Sequence, residues 1–82
     1  NLPSVKIKKK NIAEEITITD LVILSKLEKS KSEIRRLVKG NAIKLNDKIV
    51  TDEKIIINDE FFNNGYLKLS IGKKRHIKIE LN

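Results

Sequence analysis

Three basic residues, Lys31, Arg35 and Lys39, recur at intervals of four, and Arg36 stands beside the middle one. On a helix that spacing stacks the cations into one stripe, while Ile34, Leu37 and Val38 fall on the opposite flank. A stripe of guanidinium and ammonium groups with no base, nucleophile or metal ligand among them suits phosphate binding rather than catalysis. Lys44, Asn46 and Lys48 follow at once, and are expected to extend the basic surface on the exposed side of a strand and its turn. A second basic cluster, Lys73, Lys74 and Arg75, comes after Gly72.

Catalytic chemistry finds no such pattern. The single histidine, His76, lies in an alternating segment, opposite in phase to Ile77 and Ile79, and reads as a surface residue. The chain has no cysteine, so His76 lacks the partners that a zinc site or a thiol nucleophile requires. Asp52, Glu53, Asp59 and Glu60 match no calcium-loop spacing and read as solvated turn residues. The glycines Gly40, Gly65 and Gly72 stand apart, so no phosphate-cradling loop is present. No metal and no cofactor is expected in this segment.

The elements that must carry these residues follow from period and punctuation. The apolar residues Val22, Ile23, Leu24 and Leu27 predict a short helix over 19–29 with Thr19 as its cap. Ser30 and Glu33 have the spacing of a capping box that opens the basic helix, and Gly40-Asn41 closes it. Beyond Gly40 the period changes from 3.6 to 2. Ile43, Leu45 and Ile49 alternate around the turn pair Asn46-Asp47, Ile55-Ile56-Ile57 reads as a buried short strand, and residues 58–65 form an acidic, turn-rich excursion. Leu67, Leu69 and Ile71, then Ile77, Ile79 and Leu81, predict a hairpin across Gly72-Lys73-Lys74-Arg75. Residues 1–12 read as a lead-in segment with a short edge strand and a lysine run, and residues 13–82 as the domain. The expected class is α+β, two short packed helices followed by four or five mostly antiparallel strands.

The 82 residues carry a net charge of +7, and that charge is localised. Residues 26–48 hold eight basic and three acidic side chains, residues 67–82 five and one, and residues 49–66 one and four. Strong basicity points to nucleic acid or another anionic surface. Scarce aromatics (Phe61, Phe62, Tyr66) and no tryptophan argue against stacking platforms for splayed bases. No apolar run approaches a membrane span. A chain opening on Asn1 rather than Met is expected to be a piece of a longer one.

The stretch "SKSEIRRLVKGNAIKLNDKIV" resembles the RNA-binding module first defined in ribosomal small-subunit protein four, the S-four domain. The family pattern falls on Ser30, Lys31, Ser32, Arg35, Arg36, Lys39 and Gly40, then on Lys44 and Asn46. Asn41 departs from it where a second glycine is usual, and Asp47 where glycine follows the strand asparagine; both tolerate positive φ. The lead-in and the closing "GYLKLSIGKKRHIKIEL" extend the likeness over nearly the whole chain, to the C-terminal domain of bacterial tyrosyl-tRNA synthetases. That resemblance implies a noncatalytic domain that holds the anticodon arm and long variable arm of tyrosine tRNA. It further implies a cytoplasmic, homodimeric parent enzyme that binds ATP elsewhere, tRNA and the remainder of the synthetase being the partners. The S-four likeness alone also admits a pseudouridine synthase, a ribosomal protein or a ribosome-rescue protein, and the charge alone admits a basic protein-interaction domain.

Overall fold

Local hydrogen bonds decide where the helices begin. In the computed structural model, which describes residues 3–81, α1 spans Lys9–Ala13, α2 Ile18–Ser25 and α3 Lys31–Lys39. The cap of α2 is Thr17, not Thr19: its hydroxyl accepts from the Asp20 N–H, and the Asp20 carboxylate accepts from the Thr17 N–H in return. Thr17 has a carboxylate three residues on and Thr19 does not, which moves the start back two residues. The helix stops at Lys26, whose φ of 66° is left-handed. At α3 the Ser30 hydroxyl accepts from the Glu33 N–H, but the reciprocal half of the expected box is replaced. The Ser30 N–H reaches the Glu28 carboxylate instead, at 3.4 Å. The left-handed residue after α3 is Asn41 (φ 57°), while Gly40 keeps an ordinary negative φ.

One sheet takes strands from both ends of the chain, in the order β1-β5-β4-β2-β3. These are β1 Ser4–Ile7, β2 Ile43–Leu45, β3 Lys48–Ile49, β4 Tyr66–Ile71 and β5 Arg75–Leu81. The expected short edge strand is β1, which runs parallel to β5; the other pairings are antiparallel. Asn46 and Asp47 both have positive φ, 52° and 69°, the backbone of a type I′ hairpin turn. Three helices and five strands make the α+β class that the periodicity predicts.

Two further expectations fail. Lys9 and Lys10 lie in α1, where no helical period was legible. Ile55-Ile56-Ile57 is not a strand: it meets the segment before α2 at an isolated bridge, with the Ile57 N–H on the Ile16 carbonyl at 2.8 Å. Only Ile57 of the three is fully buried, and Ile56 is exposed. The run is held by tertiary contacts rather than by a ladder.

The core lies between the helices and one sheet face. Ile18, Leu21 and Val22 of α2, Ile34 and Val38 of α3, and Ile43, Leu67, Leu69 and Ile79 of the sheet are all but inaccessible. Each such side chain contributes about 1.5–3 kcal/mol. In β2, β4 and β5 alternation sends every second residue to the other face, which is the origin of the division of charge described next.

Candidate nucleic-acid interface

Burying Ile34 and Val38 turns the opposite flank of α3 outward, so Lys31, Ser32, Arg35, Arg36 and Lys39 are all exposed. Two of the cations have carboxylate neighbours: Arg35 lies 3.6 Å from Glu53 and Arg36 3.8 Å from Glu33. Both contacts exceed good hydrogen-bond distance and are open to solvent, so each is worth about 0–1 kcal/mol and yields easily to a phosphate. Lys31 and Lys39 make no ion pair among the described residues. The expected stripe therefore exists, with Glu33 opposing Arg36 rather than completing the cap.

The second basic cluster is fastened to the segments that flank this helix. Arg75 Nη1 donates to the Leu27 carbonyl at 3.2 Å and lies 3.7 Å from the Glu28 carboxylate. Glu28 also accepts from the Lys29 and Ser30 N–H groups. Those two backbone donors, with Arg75 adding to them, hold its carboxyl below the ordinary glutamate value. At the far end of α3 the Gly72 N–H donates to the Ala42 carbonyl at 2.8 Å. The β4–β5 turn thus bridges the approach to α3 and the segment leaving it. Lys73 and Lys74 are exposed at the tip, and Arg75, expected as a contact residue, is exposed as well and forms the clasp.

His76, expected at the surface, is half-buried and braces the same turn. Its Nε2 lies 3.0 Å from the Lys73 carbonyl and its Nδ1 3.0 Å from the hydroxyl of buried Ser70. A carbonyl only accepts, so Nε2 carries the proton, and in the neutral ring Nδ1 accepts from Ser70. The sequence signal for this was its phase, which places it beside Ser70 across the hairpin.

Lys44, Asn46 and Lys48 do not form one surface. Lys44 pairs with Ser70 on β4 and Ile49 on β3, and it points away from the side on which Ile43 and Leu45 meet the helices. Lys48 pairs with Leu45, so it stays at the helix-side edge, exposed. Ile49, expected to alternate into the core, is 51% exposed for the same reason: the two-residue turn fixes the register, and Val50 is buried in its place. Asn46 is held within the domain. Its Nδ2 donates to the Phe61 carbonyl at 2.7 Å and its Oδ1 accepts from the Lys68 N–H at 3.1 Å. It ties the 3₁₀ turn Asp59–Phe61 to the sheet.

No group of three or more His, Cys, Asp or Glu side chains suited to a metal ion occurs among the described residues. No helix there is long and apolar enough to cross a membrane. The arrangement offers exposed cations on a rigid helix and turn.

Comparison with known proteins gives a consistent picture. Residues 1–79 match the family described as the tyrosine–tRNA ligase SYY-like C-terminal domain. The tyrosine–tRNA ligase of Pelagibacter ubique is 58% identical over 81 residues, which is 99% of this chain and 20% of that protein. The Rickettsia rickettsii ligase is 42% identical over 82 residues, 99% of this chain and 20% of its own length. A Wolbachia ligase (subsp. Brugia malayi) is 44% identical over 79 residues, 95% of the chain and 19% of the relative. The chain spans about a fifth of the length of the curated relatives it matches.

Proposed function

The chain belongs to the tyrosine–tRNA ligase SYY-like C-terminal domain family, and on that premise we propose that it is the tRNA-holding domain of such a ligase. It grips the anticodon arm and long variable arm of tyrosine tRNA, while tyrosine activation with ATP proceeds elsewhere in a homodimeric, cytoplasmic parent. The observation that carries this reading is the exposed α3 stripe, in which, among the described residues, Lys31 and Lys39 are unopposed and Arg35 and Arg36 only weakly opposed. Cations so arranged repel one another and favour an anionic partner. Lys73 and Lys74, fastened beside α3 through Arg75 and His76, add contacts at its edge. Ser30 and Ser32 supply hydroxyls at the helix start, where the dipole is positive. Such contacts fix the register and orientation of an RNA without reading its bases, so discrimination rests on RNA shape.

Removing this domain from the parent ligase tests the assignment. Tyrosine activation by ATP should persist nearly unchanged, and aminoacylation of tyrosine tRNA should fall by about tenfold or more, the equivalent of about 1.4 kcal/mol of lost binding. An equal fall in both would make the domain a prop for the catalytic core and remove the RNA role.

A further inference from the structure

We propose that the open face of the sheet is a second phosphate-binding surface, taking a backbone segment of the RNA separate from the one on α3. The inference rests on the tRNA reading above. Strand alternation places Lys44 of β2, Lys68 of β4, His76 and Lys78 of β5, and Lys6 of β1 on the face turned away from the helices. Residues as far apart in sequence as 6 and 78 thereby share one surface.

One cross-strand pair on this face works against stability. Lys68 stands directly opposite Lys78, and like charges facing each other across a ladder are destabilising. Their ammonium groups are drawn apart. Lys68 Nζ turns to Asp47 at 3.2 Å, while Lys78 Nζ lies 3.6 Å from Glu80 and 4.5 Å from the centroid of the Tyr66 ring. Between the cations stand small hydroxyl residues: Ser70 opposite both Lys44 and His76, and Ser4 opposite Lys78. Ser70 is buried between its neighbours, so small hydroxyl side chains stand between the lysines of this face. Lys44 and Lys6 make no ion pair among the described residues.

A phosphodiester backbone suits this face better than a protein does. Protein interfaces are enriched in aromatic residues and depleted of lysine at their centres, the reverse of what stands here. The one aromatic, Tyr66, already has Lys78 over its ring, which leaves that side of the ring closed to a stacked base. The buried layer of Ile34, Val38, Leu67 and Leu69 separates this face from α3. One straight segment of backbone cannot lie on both surfaces, so the RNA must present two.

The test is hydroxyl-radical footprinting and salt titration of the 82-residue chain on tyrosine tRNA. Wild type is compared with a sheet variant, Lys44→Gln/Lys68→Gln/Lys78→Gln, and a helix variant, Lys31→Gln/Lys39→Gln. Wild type should protect two separate backbone stretches. The sheet variant should lose one and keep the other, bind about tenfold more weakly, and show a log–log salt slope shallower by about 2–3. The helix variant should lose the complementary stretch. Full protection and an unchanged slope in the sheet variant, with the helix variant still impaired, would overturn the second surface and leave the tRNA reading standing. Loss of the same stretch in both variants would also overturn it, because the two faces would then be one. No protection by wild type would remove both. If the triple variant melts below the assay temperature, Lys6→Gln/Lys44→Gln, which breaks no ion pair among the described residues, must give the same loss of one stretch or the proposal falls.

Discussion

On α3, Lys31, Arg35, Arg36 and Lys39 face Glu33 and Glu53; on the open sheet face, Lys6, Lys44, Lys68 and Lys78 face Asp47 and Glu80. The balance of charge is the same, but the two faces are assembled differently. The helix face comes from nine consecutive residues, Lys31–Lys39, and needs only a helix to exist. The sheet face comes from four strands and exists only when β1, β5, β4 and β2 stand in register. A surface of the first kind is held by its cap and its buried flank. One of the second kind is held by bonds that tie its strands and turns together, the long-range ones of Asn46 at the β2–β3 turn and those of His76 within the β4–β5 hairpin.

The two kinds of support differ most in what their loss costs. Asn46→Ala strands the Phe61 carbonyl and the Lys68 N–H in a half-buried position, at a cost of about 2–3 kcal/mol. Ser30→Ala removes one exposed capping bond to the Glu33 N–H, at a cost of about 0.5–2 kcal/mol. Urea melts of both variants give the order directly. A smaller loss for Asn46→Ala would show that the clamp is dispensable and that the sheet face forms as locally as the helix does.

A smaller effect concerns the joint between the two regions. The folded-state pKa of Glu28 is depressed, first by the Lys29 and Ser30 amides and then by Arg75. Its contribution is therefore present above the ordinary glutamate pKa and is lost as pH falls through the lowered folded value. Thermal melts of Glu28→Gln and wild type should converge at pH values below the folded pKa and separate in wild type's favour above the ordinary one. A constant gap across that range would mean that the carboxylate's charge contributes nothing to the clasp.

How much of this was legible follows from the same contrast. The α3 stripe, its Ser30 cap and the alternation of Leu67, Leu69 and Ile71 are written in short windows, and the structure has them as expected. The Asn46-Asp47 turn was equally plain. What a local pattern could not carry was register. Lys44 and Lys48 look equivalent in sequence, yet the two-residue turn puts them on opposite faces. Asn46 and Arg75 look like surface polar residues until partners 15 and 48 positions away are in place. Thr17 displaced Thr19 because Asp20 supplies the return bond of the capping box. Ile55–Ile57 failed as a strand because its hydrophobicity is met by the segment at Ile16–Ile18, not by a ladder.

The salt dependence of tRNA binding to wild type and to Lys31→Gln/Lys39→Gln shows whether the α3 cations hold RNA phosphates. If α3 and its neighbouring turn neutralise about four phosphates, the wild-type log–log slope should be about −3 to −4 or steeper. The double variant should lose about 2 from that slope while melting at the wild-type temperature, since neither lysine touches the core. A flat salt response in wild type, or a slope that the double variant leaves unchanged, would show that they do not.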